Sequence, residues 1–544
     1  MHACLWQTGT NPRAAKGVGK MPPAIVEPFP PSTTHTPKYS LKNLLNAAGI
    51  NPALCPPDAD LQITGISDNS RRIKPGNIFV AVKGENADGH LFLSDAVDKQ
   101  AAALIVERDI PAYPGVPVIR VPDTRDALAL LAHAWYGNPS KKLQLYGLTG
   151  TNGKTTSTYI LKACLEAAGI RTGLIGTIHY DVGGELLKAV NTTPSSLSLA
   201  EMFARMLSNG LGAAVMEVSS HAVHQRRIRG LEFNVGIFSN LTQDHIDYHG
   251  TMDAYRQTKW KFFEEYLAPF GGIGVFNLED ETGRNFASNY PGEKITYGMD
   301  LRADVYPVSY ELHPRHTRIS IHFRGKSLEI CTGLIGRFNL MNILAASAGA
   351  MAAGISPEQI AAGISQMRPV PGRFEPVDVG QPFALIVDYA HTPDALERIL
   401  ASALDFSPRR IITIFGCGGN RDRAKRPLMA MAVGNSMMRN RGDFAIITND
   451  NPRDEEPEAI AREAEQGFIQ LGLPSERYEI ILDRKSAIRR ALNMAGKDDI
   501  VIIAGKGHED YQIVGKNVLH FDDRETAREL LKEMNSEPKH LSGE

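Results

Sequence analysis

Residues 146–158 read Tyr-Gly-Leu-Thr-Gly-Thr-Asn-Gly-Lys-Thr-Thr-Ser-Thr and decide the fold. Apolar residues around Leu145 predict the end of a strand, and the spacing of apolar residues from Tyr159 onward predicts a helix. A strand, a glycine-rich turn, Lys-Thr and a helix form a phosphate-binding loop. In such a loop the backbone N–H groups face the phosphates, Lys154 neutralises the β and γ oxygens, and the hydroxyl of Thr155 can bind Mg²⁺.

The glycines of this loop depart from the general P-loop pattern. That pattern has a glycine six residues before the lysine, where this chain has Leu148. The glycines stand instead at Gly147, Gly150 and Gly153. We therefore predict a P-loop of a particular subtype. The alternative, a glycine-rich turn that binds no ligand, is disfavoured by the Lys-Thr-Thr run at the helix start.

Length and composition limit the classes of protein to consider. A chain of 544 residues predicts about three or four domains. Its 43% hydrophobic and 22% charged residues are typical of a soluble globular protein. A net charge of -2 gives no electrostatic footprint for nucleic acid or for a membrane surface, and the sequence has no apolar run long enough to span a bilayer. Scattered cysteines without CxxC spacing predict reduced thiols and a cytoplasmic protein.

The strand and helix patterns predict an α/β protein of three domains behind an N-terminal extension. Residues 1–37 are rich in proline and predict a disordered or spurious extension, with Met1 or Met21 as the start. Residues 38–142 predict a small α/β domain with two polar loops. Residues 143–368 predict a central P-loop domain with a mostly parallel sheet. Residues 369–544 predict a Rossmann-like α/β domain, after a Pro/Gly hinge at 369–372.

Two strands of the predicted central sheet end in residues that can bind a metal ion. The apolar run 213–216 is followed by Glu217, and the run 235–240 is followed shortly by His245. Ligands bind at the carboxyl ends of the strands in an open parallel sheet, so we expect both side chains near Thr155. Mg²⁺ prefers a carboxylate, and an imidazole is a less usual ligand for it.

Lys259 lies in a helical pattern where an apolar residue is expected. The helix starts after Thr251, and Met252, Tyr255 and Phe262 share the helix face of Lys259. Two interpretations follow. The lysine can extend its ammonium group to the surface, which is the commoner outcome. If the ammonium is held inside, burial lowers its pKa and frees a nucleophilic amine.

The C-terminal region predicts a second ligand site. Its four parallel-type strands each end in a polar loop, and these loops meet at one sheet edge. The loops carry Arg426, Arg453, Asp450, Asn451 and Glu509. Arginines bind carboxylates and acids bind ammonium groups, so this set suits a zwitterion.

The P-loop sequence at 150–156 resembles that of the Mur ligases. Other motifs of that family agree in order, and the resemblance covers about 40–535: Asn-Thr-Thr-Pro at 191–194, Glu-Val-Ser-Ser-His at 217–221, Asp-His-Ile-Asp at 244–247, Gly-Arg-Phe-Asn at 336–339, Asp-Tyr-Ala-His-Thr-Pro at 388–393 and Gly-Lys-Gly-His-Glu at 505–509. It implies a cytoplasmic, monomeric ligase that uses ATP and Mg²⁺ and forms an acyl phosphate. In detail the chain is similar to the members that add a diamino acid to UDP-N-acetylmuramoyl-L-alanyl-D-glutamate. The same resemblance implies that residues 38–142 are the UDP-substrate-binding domain.

The resemblance also implies roles for individual residues. Lys154, Lys259, Glu217 and His245 match catalytic positions, and Lys259 matches a lysine that is carbamoylated to N6-carboxylysine. Thr155, Glu217, His245 and Lys259 match the metal ligands. The ATP site would contain Gly150, Thr151, Asn152, Gly153, Lys154, Thr155, Thr156, Asn342, Arg373 and Asp388. The UDP-substrate site would contain Asp68, Ser70, Glu85, Asn86, Ala87, Asn191, Thr192, Thr193, Ser219, Gln225 and Arg227. The diamino acid site would contain Arg426, Asp450, Asn451, Pro452, Arg453, Gly505 and Glu509.

The identity of the diamino acid follows from the loop at 450–453. It resembles the family's meso-diaminopimelate signature, in which the arginine binds a distal carboxylate that L-lysine lacks. With lysine bound, that arginine would stay buried and unpaired, which is unfavourable. The alternatives are the lysine-adding version of the ligase and a non-catalytic plastid relative with a structural role. A folylpolyglutamate synthase lacks an N-terminal domain of this kind, and a P-loop kinase or GTPase would not need the second polar-edged domain.

Overall fold

The computed structural model describes residues 39–55, 61–84, 87–323 and 325–536. The predicted extension at 1–37, together with its start residue, lies outside the described residues. Within the described ranges, no helix combines the length and the apolar character that a bilayer span requires.

The first region contains a small parallel sheet of four strands in the order β3-β4-β5-β6, and a separate antiparallel pair, β1-β2. Its strands are β1 (Tyr39–Ser40), β2 (Gln62–Ile63), β3 (Gly65–Ser67), β4 (Asn77–Val80), β5 (Ala103–Val106) and β6 (Val118–Arg120). Its helices are α1 (Leu41–Ala47), α2 (Leu93–Asp98) and α3 (Thr124–Trp135), with 3-10 turns at Pro52–Leu54, Ser70–Arg72, Gly89–Phe92 and Pro139–Lys142.

The central region is built on an 11-stranded sheet in the order β10-β9-β8-β11-β7-β12-β13-β14-β15-β16-β17. Its strands are β7 (Gln144–Thr149), β8 (Thr172–Ile175), β9 (His179–Asp181), β10 (Leu186–Lys188), β11 (Ala213–Glu217), β12 (Val235–Phe238), β13 (Ile273–Asn277), β14 (Lys294–Tyr297), β15 (Val305–His313), β16 (His316–Phe323) and β17 (Lys326–Thr332). Its helices are α4 (Lys154–Ala167), α5 (Ser196–Ser208), α6 (Ser220–His224), α7 (Ile246–His249), α8 (Met252–Tyr266), α9 (Glu281–Asn289), α10 (Arg337–Ala352) and α11 (Pro357–Gln366), with a 3-10 turn at Ala268–Phe270.

The C-terminal region has a six-stranded sheet in the order β18-β19-β23-β20-β21-β22, and a separate hairpin, β24-β25. Its strands are β18 (Glu375–Pro376), β19 (Ala384–Asp388), β20 (Ile411–Cys417), β21 (Phe444–Asn449), β22 (Tyr478–Ile480), β23 (Ile500–Ala504), β24 (Tyr511–Val514) and β25 (Asn517–His520). Its helices are α12 (Pro393–Leu404), α13 (Lys425–Met437), α14 (Pro457–Gln470), α15 (Arg484–Met494) and α16 (Asp523–Ser536), with a 3-10 turn at Ser475–Arg477.

The predicted α/β class, with a mostly parallel central sheet and a Rossmann-like C-terminal sheet, is confirmed. Strands β8, β11, β7, β12, β13 and β14 are mutually parallel, and only the two ends of the sheet run antiparallel. In the C-terminal sheet, β19, β23, β20, β21 and β22 are parallel. The carboxyl ends of these strands therefore meet at one edge, as the polar loops predicted. The domain boundaries stay predictions.

Both faces of the central sheet are covered, which explains the apolar runs of its strands. Tyr146 and Leu148 face a core formed with α4, α10 and α11. Leu145 faces the opposite core, which includes Phe262 of α8. A Cβ atom at Gly147 would lie only 2.6 Å from the Phe262 ring. The glycine therefore lets α8 pack directly on the strand that leads into the P-loop.

Candidate active site

The P-loop joins β7 to α4 by the four residues 150–153. Gly153 has φ +84°, and a Cβ atom there would lie 2.3 Å from Oδ1 of Asn342 on α10. The structure describes no side-chain cap on the first turn of α4. The N–H groups of a first helical turn, together with the helix dipole, are suited to bind an anion.

The strand end after β12 supports this loop from one side. Asn240 accepts from the backbone N–H groups of Thr151 and Asn152 at 2.8 and 3.0 Å, through its carbonyl and its Oδ1. The Ser239 hydroxyl donates to the Asn152 carbonyl at 2.6 Å. Ser239 and Asn240 were not among the predicted site residues. Their only signal in the sequence is their position at a strand end beside the predicted P-loop.

Two lysines, Lys154 and the buried Lys259, converge on one carbonyl oxygen of the loop. Lys154 Nζ donates to the carbonyls of Gly150 and Thr151, both at 3.0 Å. Lys259 Nζ donates to the same Gly150 oxygen at 2.8 Å. Burial lowers the pKa of Lys154, and the carboxylates of Glu217 and Asp244 oppose this shift.

Lys259 is held inside the protein, so the second of the two interpretations of its helix applies. Its side chain is 1% exposed, and its ammonium lies 4.5 Å from the centre of the Tyr255 ring. Burial lowers its pKa well below the ordinary value, and the neighbouring Lys154 lowers it further. Met252 was predicted on the same face but is 37% exposed, because it stands in the first turn of α8.

Glu217 lies at the carboxyl end of β11, directly beside the P-loop. It pairs in register with Leu148 of β7 and is 1% exposed. Its carboxylate accepts from the Thr177 N–H at 2.8 Å and from the Thr177 hydroxyl at 3.1 Å. Thr155 is also buried, in the first turn of α4. Both oxygen donors therefore lie at the carboxyl edge of the central sheet, as predicted.

His245 lies in the loop after β12 with φ +53°. Its imidazole is 3.4 Å from the Asp244 carboxylate, and both side chains are about half exposed. Its ring contacts His221 edge to face, with centroids 4.8 Å apart. Burial lowers the pKa of His245, and the cations of Lys154 and Lys259 contribute to that shift. His245 therefore lies half exposed beside Asp244 and His221, on the open side of the site.

The predicted magnesium ligands fit the metal in part. Thr155 and Glu217 supply the oxygen atoms that Mg²⁺ prefers, and His245 supplies a nitrogen. Lys259 would become an oxygen ligand only as its carbamate. Across the part of the chain that the structure describes, no three or more His, Cys, Asp or Glu side chains group around a metal position. Phosphate oxygens of a nucleotide would have to complete such a site.

Two of the residues predicted to bind adenine or ribose make internal contacts. Asn342 lies behind Gly153, and its amide donates to Oδ1 of Asn339 at 2.9 Å. Asp388 accepts from the N–H groups of Phe374 and Ala390 at 2.7 and 2.8 Å. Burial raises the pKa of Asp388, although Arg373 opposes the shift.

Within the described residues, one N–H donor of the Arg373 guanidinium has no acceptor. Its guanidinium lies 5.0 Å from the centre of the Tyr389 ring. Its Nε is buried and has no hydrogen-bond partner within the described ranges. A buried donor left without an acceptor is costly, so Arg373 is suited to a ligand oxygen.

The predicted UDP-substrate residues of the central region form one network next to Glu217. The Thr193 hydroxyl donates to the Glu217 carbonyl at 2.7 Å and accepts from the Ser219 N–H at 3.0 Å. Arg227 donates to the Thr193 carbonyl at 2.8 Å and to Oε1 of Gln225 at 2.6 Å.

The other two residues of the Asn-Thr-Thr loop are held in the same way. The Asn191 carbonyl accepts from the Tyr180 hydroxyl at 2.6 Å. The Thr192 and Thr177 hydroxyls are 3.1 Å apart, and Thr177 also binds the Glu217 carboxylate. Thr192 is thus linked to the Glu217 carboxylate through Thr177, whereas Asn191 is held by Tyr180.

The predicted UDP-substrate residues of the first region lie on its loops. Ser70 is buried, and its carbonyl accepts from Lys99 at 2.9 Å. Asp68 and Ala87 are exposed. Glu85 and Asn86 lie outside the described residues.

The C-terminal strand ends bring together Asp450, Asn451, Gly505 and Glu509. Asn451 donates to the Glu509 carboxylate at 3.0 Å. Gly505 follows β23, and its N–H donates to the Asp388 carbonyl at 3.1 Å. Lys506, which was not predicted, is fully buried between these groups. Its signals in the sequence are its position between two glycines at the end of an apolar strand and its place in the Gly-Lys-Gly-His-Glu motif at 505–509.

Arg453 and Pro452 are anchored through the backbone. Arg453 has φ +55°, its N–H donates to the Ile513 carbonyl at 3.1 Å, and its carbonyl accepts from Gly515 at 2.7 Å. The hairpin β24-β25 therefore holds the residue in its left-handed conformation. The guanidinium donates to the Gly419 carbonyl at 2.7 Å. The Pro452 carbonyl accepts from the Glu455 N–H at 3.1 Å.

Arg426 is positioned differently from the other predicted diamino acid residues. Its side chain is 1% exposed and binds Glu463 and Glu455, each at 2.7 Å. The hydrogen bond from Arg426 lowers the pKa of Glu455 to about 2. In this conformation the terminal nitrogens of Arg426 are engaged by carboxylates of the protein. Its binding to a substrate stays a prediction.

Comparison with known proteins gives a consistent result along the chain. Residues 62–136 match the model described as "Mur ligase family, catalytic domain", residues 148–350 match "Mur ligase middle domain", and residues 372–507 match "Mur ligase, glutamate ligase domain". A relative from Solibacter usitatus is 43% identical over 493 residues, covering 91% of this chain and 98% of the relative. One from Geobacillus thermodenitrificans is 44% identical over 475 residues, covering 87% and 95%. Both are named UDP-N-acetylmuramoyl-L-alanyl-D-glutamate--2,6-diaminopimelate ligase.

Solved structures agree with these matches. One with the same ligase name has a TM-score of 0.64 at 29% identity, covering 87% of this chain and 96% of its own. The MurF ligase of Thermotoga maritima, in complex with ADP, has a TM-score of 0.56 at 19% identity, covering 86% and 96%. The second likeness concerns the fold alone.

Proposed function

The chain belongs to the Mur ligase family, and from this membership we propose that it joins meso-diaminopimelate to UDP-N-acetylmuramoyl-L-alanyl-D-glutamate. The reaction consumes ATP and contributes to peptidoglycan precursor synthesis. Relatives at 43% and 44% identity carry the name of this ligase over almost their whole length. The substrates are small molecules.

The structural observation that most supports the proposal is the convergence of Lys154 and Lys259 on the Gly150 carbonyl. Two ammonium groups near one oxygen repel each other, so added negative charge makes the site more favourable. The triphosphate of ATP, bound in the P-loop, supplies negative charge next to Lys154. A carbamate on Lys259 would turn the second cation into an anion. We propose both, with Gly150, Thr151, Asn152, Gly153, Lys154, Thr155 and Thr156 around the phosphates.

Carbamoylation of Lys259 is chemically reasonable in this environment. The reaction needs an unprotonated amine, and the burial that lowers the pKa of Lys259 provides one. The amine attacks CO₂, a C–N bond forms, and one proton leaves. The resulting carboxylate would lie between Lys154 and Tyr255 and would pair with the Lys154 ammonium.

The first chemical step activates the substrate carboxylate. The γ-carboxylate of the D-glutamyl residue attacks the γ-phosphorus of ATP, the bond to the bridging oxygen breaks, and ADP leaves. Lys154 stabilises the charge on the phosphoryl oxygens. Mg²⁺, held by Thr155, Glu217, His245 and carbamoylated Lys259, would screen the same oxygens. The network around Thr193, Ser219 and Arg227 holds the UDP substrate at Glu217.

The second step forms the amide bond. The amine of diaminopimelate attacks the acyl carbon, phosphate leaves, and the amine nitrogen loses a proton. Arg453 binds the distal carboxylate, and Asp450, Asn451 and Glu509 bind the ammonium and carboxylate groups around the distal carbon. Arg373 and Asp388 border the nucleotide at the hinge. Closure there would exclude water from the acyl phosphate.

The two alternative functions would require different residues of the chain. The L-lysine-adding ligase would leave Arg453 without a carboxylate partner. A structural relative would not need Lys154 at the start of α4 together with the buried side chains of Glu217 and Lys259. We further propose that the protein acts in the cytoplasm, because its cysteines lack disulfide-type spacing, and that it acts as a monomer.

The test is phosphate release from ATP in the presence of the UDP-muramoyl dipeptide and Mg²⁺. Three reactions contain meso-diaminopimelate, L-lysine or no amino acid, and we expect release with meso-diaminopimelate only. Lys154→Met is the control for contaminating ATPases and should release none. Release with L-lysine only would overturn the specificity. Release with neither would support the structural alternative.

A further inference from the structure

Lys506 is a fully buried cation in the centre of the proposed amino-acid site. It follows β23, where the chain passes between Gly505 and Gly507. Its Nζ lies 3.4 Å from Oδ1 of Asp450, 3.3 Å from Oδ1 of Asn451 and 3.5 Å from Oε2 of Glu509. One ammonium group thus contacts three side chains that we assign to substrate binding.

The surrounding hydrogen bonds determine which way each group points. Asn451 donates its amide N–H to Glu509 at 3.0 Å, and its Oδ1 accepts from the Ile513 N–H at 2.9 Å. Oδ1 therefore faces Lys506. The Tyr511 ring closes another side, with its centre 5.6 Å from Nζ. The arrangement holds the Asn451 amide and the Glu509 carboxylate in one orientation.

The distances indicate that the ammonium is shared. Charge-assisted N–H···O bonds are commonly about 2.7–2.9 Å, whereas each of the three contacts here is 3.3 to 3.5 Å. Without the lysine, the carboxylates of Asp450 and Glu509 would face each other across a buried space and repel. Lys506 therefore keeps both of them close to the substrate position.

Lys506 also sets the charge of the site. Asp450 and Glu509 contribute two negative charges, and Lys506 and Arg453 contribute two positive charges, so the four groups are balanced. Diaminopimelate has two carboxylates and two ammonium groups, whereas lysine has one carboxylate and two ammonium groups. A balanced site suits the first molecule, and a site with one cation fewer would suit the second better.

We propose that Lys506 is a positioning residue that holds Asp450, Asn451 and Glu509 in their binding orientation and favours an amino acid with two carboxylates over one with a single carboxylate. This inference rests on the proposed function. Lys506 acts through these neighbours and has no role in ATP binding.

The test is Lys506→Met, which keeps the length of the side chain and removes its charge. We expect the KM for meso-diaminopimelate to rise about 10- to 100-fold, because charged hydrogen bonds are lost at three groups. The KM values for ATP and the UDP substrate should stay within twofold. The ratio of kcat/KM for meso-diaminopimelate to that for L-lysine should fall at least tenfold. An unchanged ratio with an unchanged KM would overturn the inference.

Asp499→Asn is the matched control, because it removes a buried charge at the opposite end of the same strand. Asp499 is fully buried and binds Arg409 and Arg410. This variant should lose stability without a change in the amino-acid ratio. If both variants change the ratio equally, Lys506 has no specific role.

Two further measurements keep the result interpretable. If Lys506→Met fails to fold, Lys506→Gln removes the charge, keeps a hydrogen-bond donor at the same position and leaves Asp450 and Glu509 unchanged, and it should show the same lowered ratio. A folded Lys506→Gln protein with the wild-type ratio would refute the proposal. Failure of the proposed function would appear separately, as a wild-type protein that releases no phosphate with either amino acid.

Discussion

Replacing Lys259 by methionine should make the protein more stable and inactive. The ammonium is 1% exposed, and it has one hydrogen bond of 2.8 Å and one aromatic contact of 4.5 Å. These contacts offset only part of the cost of burying an ion, which amounts to several kcal/mol. Methionine fills similar space without a charge. We expect the free energy of unfolding to rise by about 1–3 kcal/mol in buffer free of CO₂.

The pH dependence of this difference has a definite sign. The pKa of Lys259 in the folded protein lies below its value of 10.5 in the unfolded chain. Between these two values the unfolded chain binds more protons, so wild-type stability rises with pH up to about 10.5. The Lys259→Met protein should lack this contribution. Urea unfolding between pH 7 and pH 10 measures the difference. Added bicarbonate should reduce it, because a carbamate would pair with Lys154.

The activity of Lys259 variants separates the carbamate from the amine. Lys259→Met should lose at least about 100-fold in phosphate release. Lys259→Ala leaves space for a small carboxylate, so propionate should restore part of its activity but none of that of Lys259→Met. Lys261→Ala is the control, since Lys261 is exposed on the same helix.

Two outcomes would refute this reasoning. A Lys259→Met protein that is less stable than the wild type in CO₂-free buffer would mean that the ammonium is well compensated. Full activity of Lys259→Ala, without any effect of bicarbonate or propionate, would mean that the carbamate has no role.

Three further predictions concern other parts of the molecule. Gly153→Ala should raise the KM for ATP at least about tenfold, because the new Cβ would clash with Asn342. The control is Gly169→Ala, because Gly169 has nearly the same positive φ but free space around its Cβ position. That variant should lose only about 1 kcal/mol of stability and leave the KM for ATP unchanged. Burial lowers the pKa of His133 to about 4, so between pH 6.5 and pH 4 the unfolded chain binds a proton that the folded protein does not, and stability falls as the pH drops through this range. His133→Phe should remove up to about 3 kcal/mol of this loss, measured by urea unfolding at pH 7 and pH 4.5. Equal losses in both proteins would contradict this prediction. Arg453→Ala should lower kcat/KM for meso-diaminopimelate about 100-fold and that for L-lysine far less, and an equal effect on both would exclude carboxylate recognition by this residue.

Local patterns were sufficient for the fold class and for much of the site. The P-loop at 150–156 and the strand ends at Glu217 and Asp450 are recognisable because apolar side chains recur with the period of each strand or helix. Parallel strands then bring their carboxyl ends to one edge without further information. Thr155 and Glu217, or Asp450 and Glu509, could therefore be assigned to common sites before any distance was known.

The orientation of charged side chains required the tertiary structure. The helical period placed Lys259 on an apolar face but left open whether its ammonium reached the surface. The answer depends on the packing of Phe262 against Gly147, between residues more than a hundred positions apart in the chain. Arg426 likewise has the chemistry of a substrate ligand, but its acceptors, Glu455 and Glu463, come from α14 and the loop before it.

The sequence by itself therefore determined the order of the elements, the P-loop and the edge of each sheet where ligands bind, because these depend on the local periodicity of strands and helices. Only the tertiary structure decided which charges are buried and what faces them. Lys506 shows this most clearly, because its fully buried ammonium lies within 3.5 Å of Asp450, Asn451 and Glu509. Burial and pairing are properties of the packed chain, and they determine whether a lysine is a surface cation or part of a site.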